Sequence, residues 1–430
     1  MQVARPICEG IFYYCIDREQ KHTLDSLPVE ILLLISNLLS YEDINCLSLS
    51  NPRLFTVLER QRKKLRLPIG IDKVPILCRL EHDLLDYFVC YYCFVLHKFG
   101  GRNQWVSLKI MTANSSISRE LQNLNFLERQ SPRGLASNYI VQLLDSFTHK
   151  GPNGVHQCLV FELLGPSVDK VLSDYHESQD ELDPETVLRI STQLLKAVKF
   201  IHNAGMCHGD ISGRNIVFSC TNLSKQTEEQ LFDVLGFPEI EPLKRIDGTP
   251  LGNELPAQLI KAAEWTEWID EDDEDIRLLD FGESFYQGQE PPKLAQPGSL
   301  RVPETIFTDC FDYRVDLWRI GCMIYFFLFT TWPFWYLGED EVLIFQMIGF
   351  VEGLPAEWKS KWESMLMRSS HNLELEEDYG ASKLEQKFAG LVSNPTLKPL
   401  LHVIQGLMRF PPSSRLTAEE GLNLLGNVHD

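Results

Sequence analysis

The sequence has no surplus of positive charge, and this excludes one broad class of function. Its 430 residues include 40 Lys and Arg against 60 Asp and Glu, a net charge of −20. Because contacts to nucleic-acid phosphates need a surplus of Lys and Arg, direct nucleic-acid binding is excluded and basic partners are favoured. The 11 cysteines follow no disulfide-like spacing. A reducing, intracellular location in the cytoplasm, the nucleus or both is therefore predicted.

Long apolar runs are also scarce. The N-terminus lacks the uninterrupted apolar stretch of a secretory signal. One run, Ile320–Leu337, approaches the ~18 residues that a membrane span needs, but it contains Thr330, Thr331 and Pro333 and has no flanking cationic belt. The run therefore predicts a buried core helix, with no membrane contact.

Charge is distributed unevenly along the chain. Residues 1–104 carry 13 basic and 12 acidic side chains, so the remaining 326 carry 27 and 48. Within residues 219–279, 15 acidic side chains stand against 5 basic ones, and six acids are consecutive from Asp270 to Asp275. This composition predicts a solvated insert that is partly disordered.

Residues 24–58 have the pattern of two short helices. Ser26 is a candidate cap, Pro28 suits the first helical position, and apolar side chains such as Leu32 and Ile35 follow at helical spacing. The simplest interpretation is a two-helix cap over a larger core. The leucine pattern also resembles the F-box, which binds a Skp-type adaptor of cullin ubiquitin ligases. Residues 1–66 are accordingly assigned as an F-box-like helical module.

Residues 67–104 form a connector with a possible metal motif. Cys90, Cys93 and His97 have the spacing that can begin a tetrahedral Zn²⁺ site, with Cys78 or His82 as the fourth ligand. The alternative is a buried aromatic strand that happens to contain two cysteines. Both interpretations stay open.

From Trp105 onward, short strands precede longer helices. Alternation predicts strands at 105–110, 139–147 and 157–162, and residues 116–129 suit a helix. Asp183 and Pro184 predict the cap and first turn of a long helix that continues to Gly205. Beyond residue 310 the pattern is mostly helical. An α+β fold follows, with a small β-rich lobe and a large helical lobe in residues 105–426.

The same residues contain a series of short motifs in a definite order. They are Lys109 on a strand, Glu120 on the next helix, HGDISGRN from His208 to Asn215, DFG from Asp280 to Gly282, Pro303-Glu304, Asp316 with Gly321, and Arg415. Each motif alone is weak, but the ordered set resembles the signature of protein kinases. The resemblance implies a bilobal protein-kinase fold that uses ATP and Mg²⁺.

The resemblance also implies a role for each site residue. Lys109 would hold the α- and β-phosphates of ATP, steadied by an ion pair with Glu120. Asn215 and Asp280 would supply the oxygen ligands that Mg²⁺ prefers. Asp210 would accept the proton of the substrate hydroxyl. Phosphoryl transfer needs this mixture because it is catalysed mainly by positioning and by neutralising charge.

Other features are similar to the SR-protein kinase family, fungal members included. CLVFELLGPSV at 158–168 resembles the family's hinge, which would contact the nucleotide through Phe161, Glu162 and Leu164, and a long insert separates Asp210 from Asp280. This resemblance implies a serine/threonine kinase that phosphorylates serines in Arg/Ser-rich basic proteins, the splicing factors of mRNA processing. It also implies an ion pair between Glu304 and Arg415, and Asp316 as a cap of the catalytic-loop backbone.

The sequence departs from the kinase pattern at three places. Ser212 stands where a lysine usually helps to neutralise the transferring phosphate. A GxGxxG loop is missing before Lys109, where only Phe99-Gly100-Gly101 is present. The missing loop predicts a truncated small lobe, produced either by a genuine fusion or by a skipped exon, and weakened nucleotide binding.

The third departure is Gly209, where many kinases have an arginine that binds a phosphate on the activation segment. The segment Asp280–Glu304 contains no threonine, and its serines are Ser284 and Ser299. Activity independent of phosphorylation of this segment is therefore predicted. The alternative function is a non-enzymatic F-box adaptor of a cullin ubiquitin ligase, in which a pseudokinase lobe presents substrates.

Overall fold

The structure is a computed structural model, and it describes most of the chain from Trp105 onward. The described residues are 12–15, 92–96, 105–111, 118–131, 138–151, 154–236, 240–242, 250, 258–260, 265, 268, 270–308, 310–336, 338–369 and 381–426. The F-box-like pattern at 24–58 lies outside them. So do Cys78, His82, Cys90 and His97 of the zinc hypothesis, and Cys93 is described only by its backbone.

The regular elements are numbered here in chain order. The described strands are β1 (Phe12–Cys15), β2 (Tyr92–Leu96), β3 (Val106–Ile110), β4 (Leu143–Gly151), β5 (Gly154–Glu162), β6 (Leu164–Ser167), β7 (Met206–Cys207), β8 (Ile216–Ser219), β9 (Ile240–Pro242), β10 (Gln258–Ile260), β11 (Ile276–Leu278) and β12 (Phe285–Tyr286). The described α-helices are α1 (Arg119–Gln130), α2 (Val168–Ser178), α3 (Pro184–Asn203), α4 (Glu228–Leu235), α5 (Glu304–Phe307), α6 (Val315–Phe329), α7 (Asp340–Met347), α8 (Lys359–Leu366), α9 (Lys383–Leu391), α10 (Pro399–Leu407) and α11 (Ala418–Gly426).

The chain forms two compact units. The first comprises residues 1–116, 144–161 and 227–266, and the second comprises residues 117–143, 162–226 and 267–430. The first unit is built on a five-stranded sheet and the second is mainly helical, with small sheets of order β11-β8-β6 and β12-β7.

The sheet of the first unit has the order β1-β2-β3-β5-β4. Alternate side chains of a strand share one face, and Val106, Leu108, Cys158 and Val160 form a buried cluster on one face of this sheet. Two strands precede β3 in this sheet. β1 pairs antiparallel with β2, with Phe12 opposite Val95, and β2 pairs antiparallel with β3.

Helix α3 in the second unit begins as predicted. The Asp183 carboxylate accepts from the N–H of Glu185 at 2.8 Å, and Pro184 occupies the first turn, where its missing N–H costs nothing. The predicted apolar face is buried, including Ile190 and Leu194. The helix ends at Asn203, two residues before Gly205, which has a φ of +78°.

Helix α6 corrects the prediction made for Ile320–Leu337. The run is a buried core helix only as far as Phe329, because Thr330 adopts a left-handed conformation with φ +50°. The helix begins at Val315, and residues 315–328 are all buried. No helix among the described residues has the length and apolar content to cross a membrane.

Among the consecutive acids Asp270–Asp275, Asp272, Asp273 and Asp275 are exposed, whereas Glu274 is bound into the helical unit. Glu274 is 5% exposed, and its carboxylate accepts from the Thr221 N–H at 2.7 Å and from the Ser219 hydroxyl. The Arg189 guanidinium of α3 donates to the carbonyls of Glu271 and Glu274. The Glu274 carboxylate and the two backbone carbonyls thus all accept hydrogen bonds, which hold this part of the acidic run in place.

A buried ion pair ties α5 to the C-terminal helices, as predicted. The guanidinium of Arg415 donates to both carboxylate oxygens of Glu304, at 2.8 Å and 2.6 Å, and the two side chains are 0% and 2% exposed. Arg415 also donates to the carbonyls of Arg409 and Arg314. Because two parallel hydrogen bonds join the side chains, the pair fixes the orientation of Arg415 and Glu304 as well as the distance between them.

Removing one partner of this pair leaves the other charge buried without compensation. We expect Glu304→Gln to lower the free energy of unfolding by about 3–5 kcal/mol, measured by chemical denaturation. The same change at Glu419, whose pair with Lys199 is largely exposed, should cost less than about 1 kcal/mol. A loss at Glu304 no larger than that at Glu419 would contradict the structural role of the pair.

Candidate functional site

The loop between β7 and β8 is held by a carboxylate from helix α6. Asp316 accepts from the N–H of His208 at 2.8 Å and from the N–H of Gly209 at 3.0 Å, and its Oδ2 lies 3.0 Å from Nε2 of His202. Burial raises the pKa of Asp316, but the hydrogen bond and charge of His202, with His208, bring it down to about 2. The carboxylate therefore stays ionised, and the predicted cap of the loop backbone is confirmed.

His208 joins this loop to the segment that begins at Asp280. Its Nε2 lies 3.0 Å from the Leu279 carbonyl, and its Nδ1 accepts from the Asp210 N–H at 3.2 Å. The ring packs edge-on against Phe281, with centroids 4.8 Å apart. Burial lowers the pKa of His208. A neutral ring with its proton on Nε2 satisfies both contacts.

Asp210 and Asn215, five residues apart, meet directly in the structure. The side-chain amide of Asn215 donates to the Asp210 carbonyl at 2.8 Å and to its carboxylate at 2.9 Å. Because the NH₂ group is used in this way, the amide oxygen is the atom of this side chain that would face a cation. The Leu279 N–H donates to the Asn215 carbonyl at 2.9 Å, which places Asp280 beside the loop.

The carboxylates of Asp280 and Glu283 lie close enough to Asp210 to affect its pKa. Burial, together with the charges of Asp280 and Glu283, raises the pKa of Asp210 to about 6, although Arg319 and the hydrogen bond from Asn215 lower it. Mutual repulsion of this kind is relieved by a cation. Carboxylate and amide oxygens are the ligands that Mg²⁺ prefers, so the donor set of Asp280 and Asn215 fits that ion.

Helix α1 anchors the DFG segment. The side-chain amide of Asn123 donates to the carbonyls of Phe281 at 2.8 Å and Ser284 at 3.2 Å. The Ser284 hydroxyl in turn donates to the His208 carbonyl at 2.9 Å. Sequence analysis missed Asn123, although an amide on the apolar side of a predicted helix is the signal that would have found it.

The remaining site residues are divided between the two units. Lys109 on β3 and Phe161 at the end of β5 belong to the first unit, and both are buried. Glu120 lies in the first turn of α1 in the second unit and is 2% exposed. Leu164, the third residue of the predicted hinge, begins β6 and is half-buried.

Glu162, the central residue of the predicted hinge, already makes hydrogen bonds within the protein. Its carboxylate accepts from the Gln142 N–H at 3.0 Å and lies 3.5 Å from the guanidinium of Arg277. Its own N–H donates to the Gln142 carbonyl at 3.2 Å. The predicted contact with a nucleotide would therefore not use this carboxylate.

Sequence analysis also missed Arg319. This residue is 0% exposed in α6, and its guanidinium donates to the carbonyls of Gly209 at 2.5 Å and Ala295 at 2.6 Å. The signal was a basic residue inside an otherwise apolar helix, one turn after Asp316.

In the part of the chain that the structure describes, no group of three or more His, Cys, Asp or Glu side chains is placed to hold a metal ion. Zinc therefore has no support from these residues.

Gly209 has a conformation that disfavours any side chain. Its φ is +78°, and a Cβ atom there would lie 2.7 Å from the Glu283 carbonyl oxygen. Gly205 has the same φ but nothing within 4 Å of a Cβ atom. We expect Gly205→Ala to cost about 1–2 kcal/mol of stability for the left-handed backbone alone. Gly209→Ala should cost about 1–3 kcal/mol more because of the clash. Equal losses in denaturation experiments would show that the close approach is absent.

Comparisons with known proteins agree with this geometry. Residues 95–228 match the family model of the protein kinase domain. Human dual specificity protein kinase CLK1 is 24% identical over 336 residues, which cover 76% of this chain and 60% of CLK1. The serine/threonine-protein kinase AFC2 of Arabidopsis thaliana is 23% identical over 334 residues, which cover 75% of this chain and 70% of AFC2.

A solved kinase domain has the same fold. Its crystal structure matches with a TM-score of 0.51 at 17% identity, covering 78% of this chain and 91% of that domain. The ordered motifs, the site geometry and these matches lead to one conclusion. Residues 95–228 are similar to the protein kinase domain, and the chain's CLK and AFC relatives match it at low identity.

Proposed function

We propose that this chain is a protein serine/threonine kinase that transfers a phosphoryl group from ATP to serine in Arg/Ser-rich basic proteins. The observation that carries the proposal is the junction of Asp210, Asn215 and Asp280, made by the Asn215 amide and by the hydrogen bond from Leu279 to Asn215. The human relative CLK1 is a dual specificity protein kinase, of whose length the match spans 60%.

Asp210 is the proposed acceptor of the substrate hydroxyl proton. Its carboxylate is oriented by the Asn215 amide, and its backbone N–H is bonded to His208. The carboxylate is 26% exposed, so a hydroxyl can approach it from solvent. A base held in this way is already positioned, so little freedom is lost when the substrate binds. Such positioning, together with charge stabilisation, supplies most of the catalysis in phosphoryl transfer.

Asn215 and Asp280 are the proposed Mg²⁺ ligands, and Lys109 is the proposed partner of the nucleotide phosphates. When bound, Mg²⁺ supplies positive charge to the phosphate oxygens. Glu120 is the proposed partner of the Lys109 ammonium. Phe161, Glu162 and Leu164 are the proposed hinge contacts of the nucleotide. Ser212 leaves the loop without its usual lysine, so a slow turnover is proposed.

The proposed substrate class follows from charge. Residues 105–430 carry 27 basic and 48 acidic side chains. A surface of this sign favours encounter with cationic peptides. The nucleus, the cytoplasm or both are the proposed locations of such substrates.

The adaptor alternative depends on residues 24–58, which lie outside the described residues. Within the described residues, Asp280 and Glu283 both raise the pKa of Asp210. Carboxylates that repel one another are retained at a cost unless a cation is bound there. This arrangement favours the enzyme over a non-catalytic scaffold.

Replacing one proposed Mg²⁺ ligand tests the proposal directly. We expect purified chain to phosphorylate an Arg-Ser peptide with Mg-ATP, and Asp280→Asn to reduce incorporation at least about 100-fold by removing a charged ligand. Asp174→Asn, on the exposed face of α2, is the matched control and should remain active. Equal incorporation by wild type and Asp280→Asn would refute the proposal, as would an inactive wild type. A preference for a neutral serine peptide would refute the substrate class alone.

The pKa of Asp210 sets the expected pH dependence. A general base must be ionised, and kcat/KM reports the free enzyme. Because the pKa of Asp210 is raised to about 6, kcat/KM should fall as the pH drops through about 6 and be level above about 7. Glu283→Gln removes one carboxylate that raises this pKa, so it should move the acid limb to lower pH. A flat profile between pH 5 and 7, or a limb that moves upward, would contradict the assignment.

A further inference from the structure

Arg319 is a charged residue in the apolar interior of the second unit. It is 0% exposed, and the other charged residue of α6 is Asp316. A guanidinium keeps its charge in proteins, and its burial is a weak source of stability even when it is paired. The Nε atom of Arg319 has no hydrogen-bond partner among the described atoms. A purely stabilising role explains such a side chain poorly.

The contacts of Arg319 join two parts of the proposed catalytic machinery. One nitrogen donates to the Gly209 carbonyl at 2.5 Å, and that nitrogen lies 4.0 Å from the Asp210 carboxylate. The other donates to the Ala295 carbonyl at 2.6 Å. One rigid fork therefore spans the catalytic loop and the middle of the segment Asp280–Glu304.

Because residue 209 is a glycine, the catalytic loop carries no cation of its own at this position. Its φ is positive, and a Cβ atom on it would approach the Glu283 carbonyl oxygen to 2.7 Å, which excludes an arginine there without a backbone shift. The carbonyl of Gly209 instead accepts from Arg319. The positive charge that many kinases carry on the catalytic loop is thus present, but it arises from α6.

The segment Asp280–Glu304 is ordered through contacts within the protein. β12 pairs with β7, with Phe285 opposite Cys207. The Gln287 N–H donates to the Gly205 carbonyl at 2.9 Å. Ser284 is 1% exposed, and its hydroxyl donates a hydrogen bond to the His208 carbonyl. Between Gln287 and Gln296, the bond from Arg319 to Ala295 ties the segment to the core.

We propose that Arg319 is a positioning residue that replaces the phosphate-binding arginine of the catalytic loop and holds the segment Asp280–Glu304 in its working conformation without phosphorylation. The inference rests on the proposed kinase function for its catalytic consequence. Its structural consequence, the ordering of the segment, is independent of that function.

Hydrogen–deuterium exchange on the full chain tests the ordering. Arg319→Met keeps the length of the side chain and removes both bonds, so amide exchange in residues 284–300 should rise about tenfold or more, with α3 unchanged. Arg189→Met is the matched control, because Arg189 also donates to two backbone carbonyls, those of Glu271 and Glu274. It should raise exchange near residue 274 and leave 284–300 as in wild type.

Kinetics test the catalytic consequence. Arg319→Met should lower kcat about 100-fold, because a small displacement of a catalytic group has that effect, and should change KM for ATP less than about threefold. Arg319→Lys should recover part of kcat, since an ammonium can serve one carbonyl but lacks the planar fork. Phosphatase treatment of wild type should change neither kcat nor the exchange of 284–300.

Several outcomes would overturn the inference. One is an exchange rate of residues 284–300 in Arg319→Met that equals the wild-type rate. Another is a rise in exchange of these residues in Arg189→Met as large as that in Arg319→Met. The third is a loss of order in residues 284–300 of the wild type after phosphatase treatment. If Arg319→Met exchanges throughout and so fails to fold, Arg319→Lys decides in its place, and wild-type exchange in that variant overturns the inference. An inactive wild type refutes the kinase proposal, while the exchange experiment still judges the role of Arg319.

Discussion

The arrangement of the site depends on one carboxylate at the start of a buried helix. The loop that carries Asp210 lies between two short strands, so ladder hydrogen bonds do not fix its backbone. Asp316 supplies acceptors for two consecutive N–H groups of that loop and for the His202 ring. Because backbone donors without acceptors are costly to bury, the loop has one favourable conformation, in which Asp210 is presented beside Asn215.

Charge balance organises the rest of the site. Burial raises the pKa of Asp210, and the charges of Asp280 and Glu283 add to the effect. Such a cluster is stable only if cations approach it, and helix α6 brings one within 4.0 Å through Arg319. The remaining negative charge is the property expected of a site that binds Mg²⁺ together with nucleotide phosphates. The same helix therefore supplies both the anion that fixes the loop and a cation that offsets its acids.

Features with local causes could be predicted from the sequence. The start of α3 follows from an Asp cap and a Pro in the first turn, and the pair of Glu304 and Arg415 was expected from the ordered motifs. The acidic run could not be predicted in the same way. Six consecutive acids usually mark a solvated stretch, but Glu274 is buried because Ser219 and Thr221, more than 50 residues earlier, offer donors.

Long-range pairing also explains the other differences. Residues 16–91 separate β1 from β2 along the chain, so neither strand reveals its partner locally. Arg319 lies in a helix whose other residues are nearly all apolar, and its purpose depends on carbonyls from Gly209 and Ala295. The role of such a residue becomes visible only when the loop and the segment are placed around it.

The central claim is that the acids of this site bind a metal together with a nucleotide. Calorimetric titration of the full chain with a non-hydrolysable ATP analogue, with and without Mg²⁺, tests it most directly. The account predicts binding that Mg²⁺ strengthens at least about tenfold and that Asn215→Ala weakens, since the amide oxygen of Asn215 is a proposed ligand. Absence of binding, or binding indifferent to Mg²⁺, would contradict it.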